Sequence, residues 1–228
     1  MRASIRHALL LHGAGGGGWE WNIWRGVLAA GGIEPVALDL QPAAAGLAAT
    51  TLEDYLQQAR AALAAVPHPR AVIGASLGGL LAMAAADAAD ALVLINPLPP
   101  SPWCAQLPAR DWPDLVPWQR DARLASTRRA MPDADDATAL FAFRHWRDES
   151  GAVLRAAQQG ITVPRPACPV LCVLSTQDED VPPTLTRELA SDWKAAVLQA
   201  ASLCHVGPLL GRGATAVAEQ VVAWLSAR

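Results

Sequence analysis

Short apolar runs alternating with amphipathic stretches constrain this chain most. Ala71 to Gly74, Ala91 to Ile95 and Pro169 to Ser175 are almost free of polar residues, as is Ile5 to Leu11 beyond Arg6 and His7. Strands of that kind are buried on both faces, as in parallel sheets covered by helices. Between them lie helical signals: Trp19 to Ala30 ending at Gly31-Gly32, Thr51 to Val66 with Asp54 as a capping-box acid, and Ser76 to Ala89. The pattern returns as helix Pro183 to Trp193, strand Ala196 to Ala200 and helix Ala214 to Ala227; Glu34 to Leu38 reads as a further short strand. Such alternation predicts an α/β fold with a doubly wound, mostly parallel sheet of about six strands.

The alternation breaks after Asn96-Pro97. Residues 98–166 are rich in Pro, Trp, Asp and Arg, with helical signals near Asp121–Met131, Ala134–Trp146 and Glu149–Gln159. The expected organisation is a core of residues 1–97 and 167–228 with a helical cap insertion at 98–166. An insertion after a parallel strand sits on the carboxyl edge, where ligands bind.

Composition narrows the functional classes. Hydrophobic residues make up 52% of the 228 residues and charged residues 17%, enough apolar surface for a single core. The net charge of −3 comes without a basic stripe, which argues against a nucleic-acid partner. No apolar stretch approaches the ~20 residues of a membrane span. The start, Met1 to Gly15, has too short an apolar run for a signal peptide. Cys104, Cys168, Cys172 and Cys204 fit neither a zinc signature nor a disulfide framework, so they read as reduced thiols and a cytoplasmic location is expected. Lys194 is the only lysine, which leaves little scope for Schiff-base chemistry. Nothing in the sequence excludes a homodimer.

The chemistry concentrates in three loops. Gly74-Ala75-Ser76-Leu77-Gly78 fits G-x-S-x-G between a strand and a helix, the context of a nucleophile elbow. A serine hydroxyl needs a base. Of five histidines only His205, in Leu203-Cys204-His205-Val206-Gly207-Pro208, follows the last strand at the serine's edge of the sheet. The base needs an orienting carboxylate. The loop Thr176 to Pro183 offers Asp178, with Asp180 as the fallback, while Asn96, after the preceding strand, cannot serve as one. The order Ser…Asp…His is the one such a sheet uses. Oxyanion donors are expected at the Leu77 N–H and in His12 to Gly18, at Ala14 or else Gly15. That glycine-rich loop lacks a P-loop's closing Lys-Ser/Thr, and only the spacing to Asp39 favours a dinucleotide site.

Together these segments resemble the α/β-hydrolase superfamily, over Ile5 to Ile95 and Pro169 to the end. His12-Gly13-Ala14-Gly15-Gly16-Gly17-Gly18-Trp19-Glu20-Trp21 is similar to the first loop of its small esterase and hydroxynitrile-lyase branch, and Asp178 with Val181-Pro182 to its acid position. The lyases carry threonine at Gly13 and lysine at Val206, so cyanohydrin cleavage is not expected; Ser76 excludes the dehalogenases and epoxide hydrolases, which use Asp at the elbow. Relative to the family, the chain starts at the third strand.

The resemblance implies a serine hydrolase that cleaves carboxylic esters of small apolar substrates, with Ser76, Asp178 and His205 catalytic and no metal or cofactor. The alternatives are a slow-turnover small-molecule receptor on the same fold and a thioester or C–C hydrolase. Trp103, Trp112, Trp118 and Trp146 in the insertion either line an apolar pocket or pack the cap onto the core.

Overall fold

The computed structural model describes residues 4–228; Met1, Arg2 and Ala3, the first residues of the stretch judged too short for a signal peptide, lie outside the described residues. The chain opens with β1 (His7–Leu11), α1 (Asn22–Ala30), β2 (Glu34–Leu38), α2 (Leu52–Ala65), β3 (Arg70–Ala75), α3 (Leu77–Ala84) and β4 (Ala91–Ile95). The segment that follows holds β5 (Leu115–Val116), α4 (Leu124–Ala130), α5 (Asp136–His145), β6 (Glu149–Ser150) and α6 (Gly151–Gln159). The alternation then resumes with β7 (Val170–Leu174), α7 (Pro183–Trp193), β8 (Ala196–Gln199), α8 (Gly207–Leu210) and α9 (Ala214–Ser226).

Six strands form one sheet in the order β2-β1-β3-β4-β7-β8, every neighbouring pair parallel. The fold class is the expected one. Strand alternation sorts the core into two layers. Leu9, Leu11, Val72, Leu92, Leu94 and Cys172 pack with residues of α2, α3 and α7, whereas Leu10, Ile73, Val93, Leu171 and Val173 pack with α1 and α9. The inner strands are covered on both sides, which is why they read as continuous apolar runs rather than alternating ones.

Topology fixes where a site can form. From β1 the chain steps outward to β2, then returns past β1 to β3 and continues in that direction. Neighbouring strands β1 and β3 therefore send their following loops to opposite sides, which opens a crevice at their carboxyl ends. The loop of residues 12–18 and Ser76 both leave from there.

Local signals hold well in the core. Thr51 caps α2, accepting from the Asp54 N–H at 3.2 Å while Asp54 accepts from the Thr51 N–H at 2.8 Å. Three readings need correction. The helix expected from Trp19 to Ala30 begins at Asn22, after a 3₁₀ turn at Gly18–Trp21. The helix expected over Glu149–Gln159 starts at Gly151, because Ser150 accepts the Val153 N–H as its cap and Glu149–Ser150 pair with β5 in a two-stranded antiparallel ribbon. The helix expected from Ser76 to Ala89 ends at Ala84, followed by a single 3₁₀ turn at Ala86–Ala88. All four cysteines are free. Among the described residues no helix is long and apolar enough to cross a membrane.

Candidate active site

Ser76 stands at the junction of β3 and α3 with φ 53° and ψ −120°, a conformation that costs a non-glycine residue on the order of 1–3 kcal/mol. Its neighbours permit it. A Cβ on Gly74 would fall on the Gly78 carbonyl oxygen, and one on Gly78 on the carbonyl oxygen of Leu11 at the end of β1. The Ser76 N–H donates to Ile95 O at 3.0 Å, and its own carbonyl takes the N–H groups of Gly79 and Leu98, each at 2.9 Å. The turn is therefore held from both α3 and the far side of β4.

Ser76 and His205 line one cavity of about 650 Å³. His205 lies in the loop between β8 and α8, and its Nδ1 meets Asp178 Oδ2 at 2.7 Å. Asp178 is buried in the loop after β7, and its other oxygen accepts the N–H groups of Asp180 at 2.9 Å and Val181 at 3.0 Å. Burial of the imidazole opposes its protonation, but the bond to Asp178 and the charges of Asp178, Asp180 and Glu20 outweigh it, leaving His205 above its usual range. Asp180, the fallback acid, is exposed and paired with Arg110 at 2.9 Å. The donor atoms of Asp178, Asp180 and His205 lie within 4.8 Å of one another, the one such grouping among the described residues, yet both Asp178 oxygens are already engaged.

The expected oxyanion donors separate clearly. Leu77 opens α3, where a helix leaves its first N–H groups free. Ala14 lines the cavity, and among the described residues no acceptor takes its N–H. Gly15, the alternative to Ala14, donates its N–H to Glu149 Oε2 at 2.9 Å and is thereby spent.

The other histidines have structural work. His12 is buried and receives the Leu40 N–H on Nε2 at 3.0 Å, which places its proton on Nδ1 facing Gly13 O at 2.7 Å. Burial, assisted by Arg147 and opposed by the Gly13 contact and Asp39, pulls its pKa down to about 4. His68 pairs with Asp90 at 2.6 Å, and His145 stacks on Phe141 at 3.9 Å.

Three polar side chains at the site escaped the sequence reading. Glu20 is buried, borders the cavity and accepts the Gly13 N–H at 3.3 Å. Burial pushes its pKa up to about 8, against the pull of the Gly13 N–H, His205, Arg147 and the Gly17 N–H. Arg147 and Glu149, from the segment after β4, grip the loop of residues 12–18. The one local signal is the charge of Glu20 between two tryptophans, Trp19-Glu20-Trp21; Arg147 and Glu149 lie in the polar run Arg147-Asp148-Glu149-Ser150, where nothing local marks them. Of the four tryptophans, Trp112, Trp118 and Trp146 line the cavity, whereas Trp103 packs against the core.

Comparison with known proteins agrees with this architecture. No curated protein matches the sequence. Among solved structures, polyneuridine aldehyde esterase superposes with a TM-score of 0.75 at 16% identity, covering 97% of this chain and 99% of its own. A pyrethroid hydrolase from Sphingobium faniae gives 0.72 at 18% identity, with 98% of each chain covered. Tomato methylketone synthase I, complexed with 2-tridecanone, gives 0.75 at 15% identity, covering 97% of this chain and 98% of its own. At these identities the likeness is one of fold. The sequence model of the Alpha/beta hydrolase family matches residues 8–220. With that span matched, the chain belongs to the alpha/beta hydrolase family.

Proposed function

We propose that the protein is a carboxylic-ester hydrolase working through an acyl-enzyme on Ser76. The observation that carries this reading is the His205–Asp178 bond at 2.7 Å in a ring that shares its cavity with Ser76. With Nδ1 donating to Asp178, the neutral ring keeps Nε2 as an acceptor for the serine proton. The hydroxyl attacks the ester carbonyl as that proton moves to His205. The Leu77 and Ala14 N–H groups hold the oxyanion, and the imidazolium returns the proton to the leaving alcohol. Water, deprotonated by the same imidazole, then releases the acid.

The substrate class follows from the walls. Leu98, Leu107, Val116, Leu154 and Leu209, with Trp112, Trp118 and Trp146, make an apolar lining for a small ester. Many of these residues belong to 98–166, which we read as a cap over the core of residues 1–97 and 167–228.

Labelling with a fluorophosphonate, followed by mass spectrometry, tests the assignment even while the natural substrate is unidentified. The label is expected on Ser76, and Ser76→Ala should abolish both labelling and nitrophenyl-ester hydrolysis. Full hydrolysis by purified Ser76→Ala would discard the mechanism.

A further inference from the structure

The N–H groups of the loop 12–18 are divided in an orderly way. Gly13 donates to Glu20 Oε2 at 3.3 Å and Gly15 to Glu149 Oε2 at 2.9 Å, so a glutamate carboxyl group takes the N–H on each side of Ala14. Gly16 donates to Gly13 O at 3.3 Å and Gly18 to Asp39 Oδ1 at 3.0 Å. Of the four N–H groups from Gly13 to Gly16, the one at Ala14 alone has no acceptor among the described residues.

Glu149 reaches this loop from 134 residues away. It is buried, and its second oxygen is fixed by the Tyr55 hydroxyl at 3.0 Å and the Ser150 N–H at 2.8 Å. Arg147 completes the grip. Its N–H donates to Gly15 O at 2.7 Å, its Nε to Gly16 O at 2.5 Å, and its guanidinium pairs with Asp39 at 3.3 Å. Both peptide groups flanking Gly15 are thus bound by residues of the segment after β4. A run of glycines from 15 to 18 has little stiffness of its own, and Gly15 itself sits at φ +65°. Oxyanion donors work only when held in place before the charge develops.

We propose that Glu149 and Arg147 are positioning residues for acyl transfer: Glu149 binds the N–H of Gly15 and Arg147 the C=O groups of Gly15 and Gly16, and together they fix the loop so that the Ala14 N–H is its oxyanion donor. The proposal rests on the Ser76 acyl-enzyme reading above. It makes the segment that covers the cavity part of the catalytic scaffold. A purely architectural clamp would affect stability and substrate binding; a positioning clamp acts on the charge that develops on the carbonyl oxygen.

The test compares a nitrophenyl ester with its thionoester, whose sulfur accepts hydrogen bonds weakly and so gains little from an oxyanion donor. Glu149→Ala and Glu149→Leu, which remove the acceptor, should lower kcat on the ester about 10- to 100-fold, with KM changed less than about three-fold. They should shrink the ester-to-thionoester rate ratio by a similar factor. Glu149→Gln keeps an oxygen for the Gly15 N–H but turns its NH2 toward the Ser150 N–H, and should recover part of both.

Should neither truncation fold, Arg147→Met, which removes the bond to Gly16 O, is expected to shrink the same ratio. An unchanged ratio in the folded variants that lose an acceptor or the Arg147 bond overturns the proposal, as does a loss confined to KM. If the wild-type protein labels at Ser76 while the ratio ignores these changes, the positioning role falls and the hydrolase stands. A wild-type protein that neither labels nor hydrolyses overturns the hydrolase reading, and the positioning role with it.

Discussion

Asn96 donates its side-chain N–H to the backbone carbonyl of His205 at 2.6 Å. The same amide donates to Ser175 Oγ at 2.9 Å and accepts the Ser175 N–H at 2.8 Å. It is buried at the end of β4 with φ 41°. The sequence excludes this residue as the acid; the structure shows it tying the His205 loop to the end of β7. Asn96→Asp would set a carboxylate oxygen against the His205 carbonyl, two acceptors with no proton between them. We expect a loss of about 2 kcal/mol in stability and a lowered kcat, read by denaturant melts and ester kinetics. Unchanged kcat would mean that the His205 loop holds its place without this bond.

Under the proposed mechanism, Asp178→Asn tests the orientation of His205 directly. It should cost about 10⁴ in kcat, because the amide also stabilises the wrong tautomer. In the wild-type protein the acid limb of kcat/KM should lie above the usual histidine range, since the proposed base, His205, would work neutral and its pKa is raised. In the variant the residual activity should have that limb displaced to lower pH, because burial then dominates the imidazole. A limb that stays put would remove Asp178 as the partner that sets the pKa.

Two buried groups at the loop 12–18 make opposite contributions to stability with pH. His12 falls from 6.5 to about 4 on folding, so the native state binds fewer protons and stability rises with pH between those values. Glu20 rises from 4.5 to about 8, so the native state holds an extra proton and stability declines as pH climbs through that range. The two slopes offset one another up to about pH 6.5, and Glu20 alone acts beyond it. Glu20→Gln should therefore be more stable than wild type by a margin that grows between pH 5 and 8 and reaches a few kcal/mol. A margin independent of pH in thermal melts would show that Glu20 is ionised throughout.

Gly78 allows the elbow to lie against β1, because a Cβ there would fall on Leu11 O. Backbone on both sides leaves nothing to yield. Gly78→Ala should cost at least ~3 kcal/mol or prevent folding, measured by chemical denaturation. Gly26→Ala, at a helical position with nothing within 4 Å of the added methyl, is the control and should be neutral or slightly stabilising.

Tryptophans of the segment after β4 should divide by location. Trp112 and Trp118 meet edge to face at 5.9 Å on the cavity wall, so replacing either with alanine should shift KM across a series of acyl-chain lengths. Trp103 packs on the core, and Trp103→Ala should instead cost ~1–3 kcal/mol in stability and leave chain-length preference alone. Equal effects from all three would assign them one common role.

What could be read from the residues alone is what depends on near neighbours in the chain. Strand Ala91–Ile95, helix Pro183–Trp193 and the Thr51 cap follow from short-range patterns, and so does the turn around Ser76, where glycines sit at fixed offsets. The choice of Ser76, His205 and Asp178 as candidates came from their places at strand ends, since parallel strands bring all following loops to one edge. Tertiary structure decided what lies beyond that range. The ribbon of β5 with β6, the amide of Asn96 bridging two loops, and the passage of Glu149 across 134 residues to a single glycine N–H each pair groups that no local pattern links. A buried N–H must find an acceptor, but which one it finds depends on how the whole chain packs.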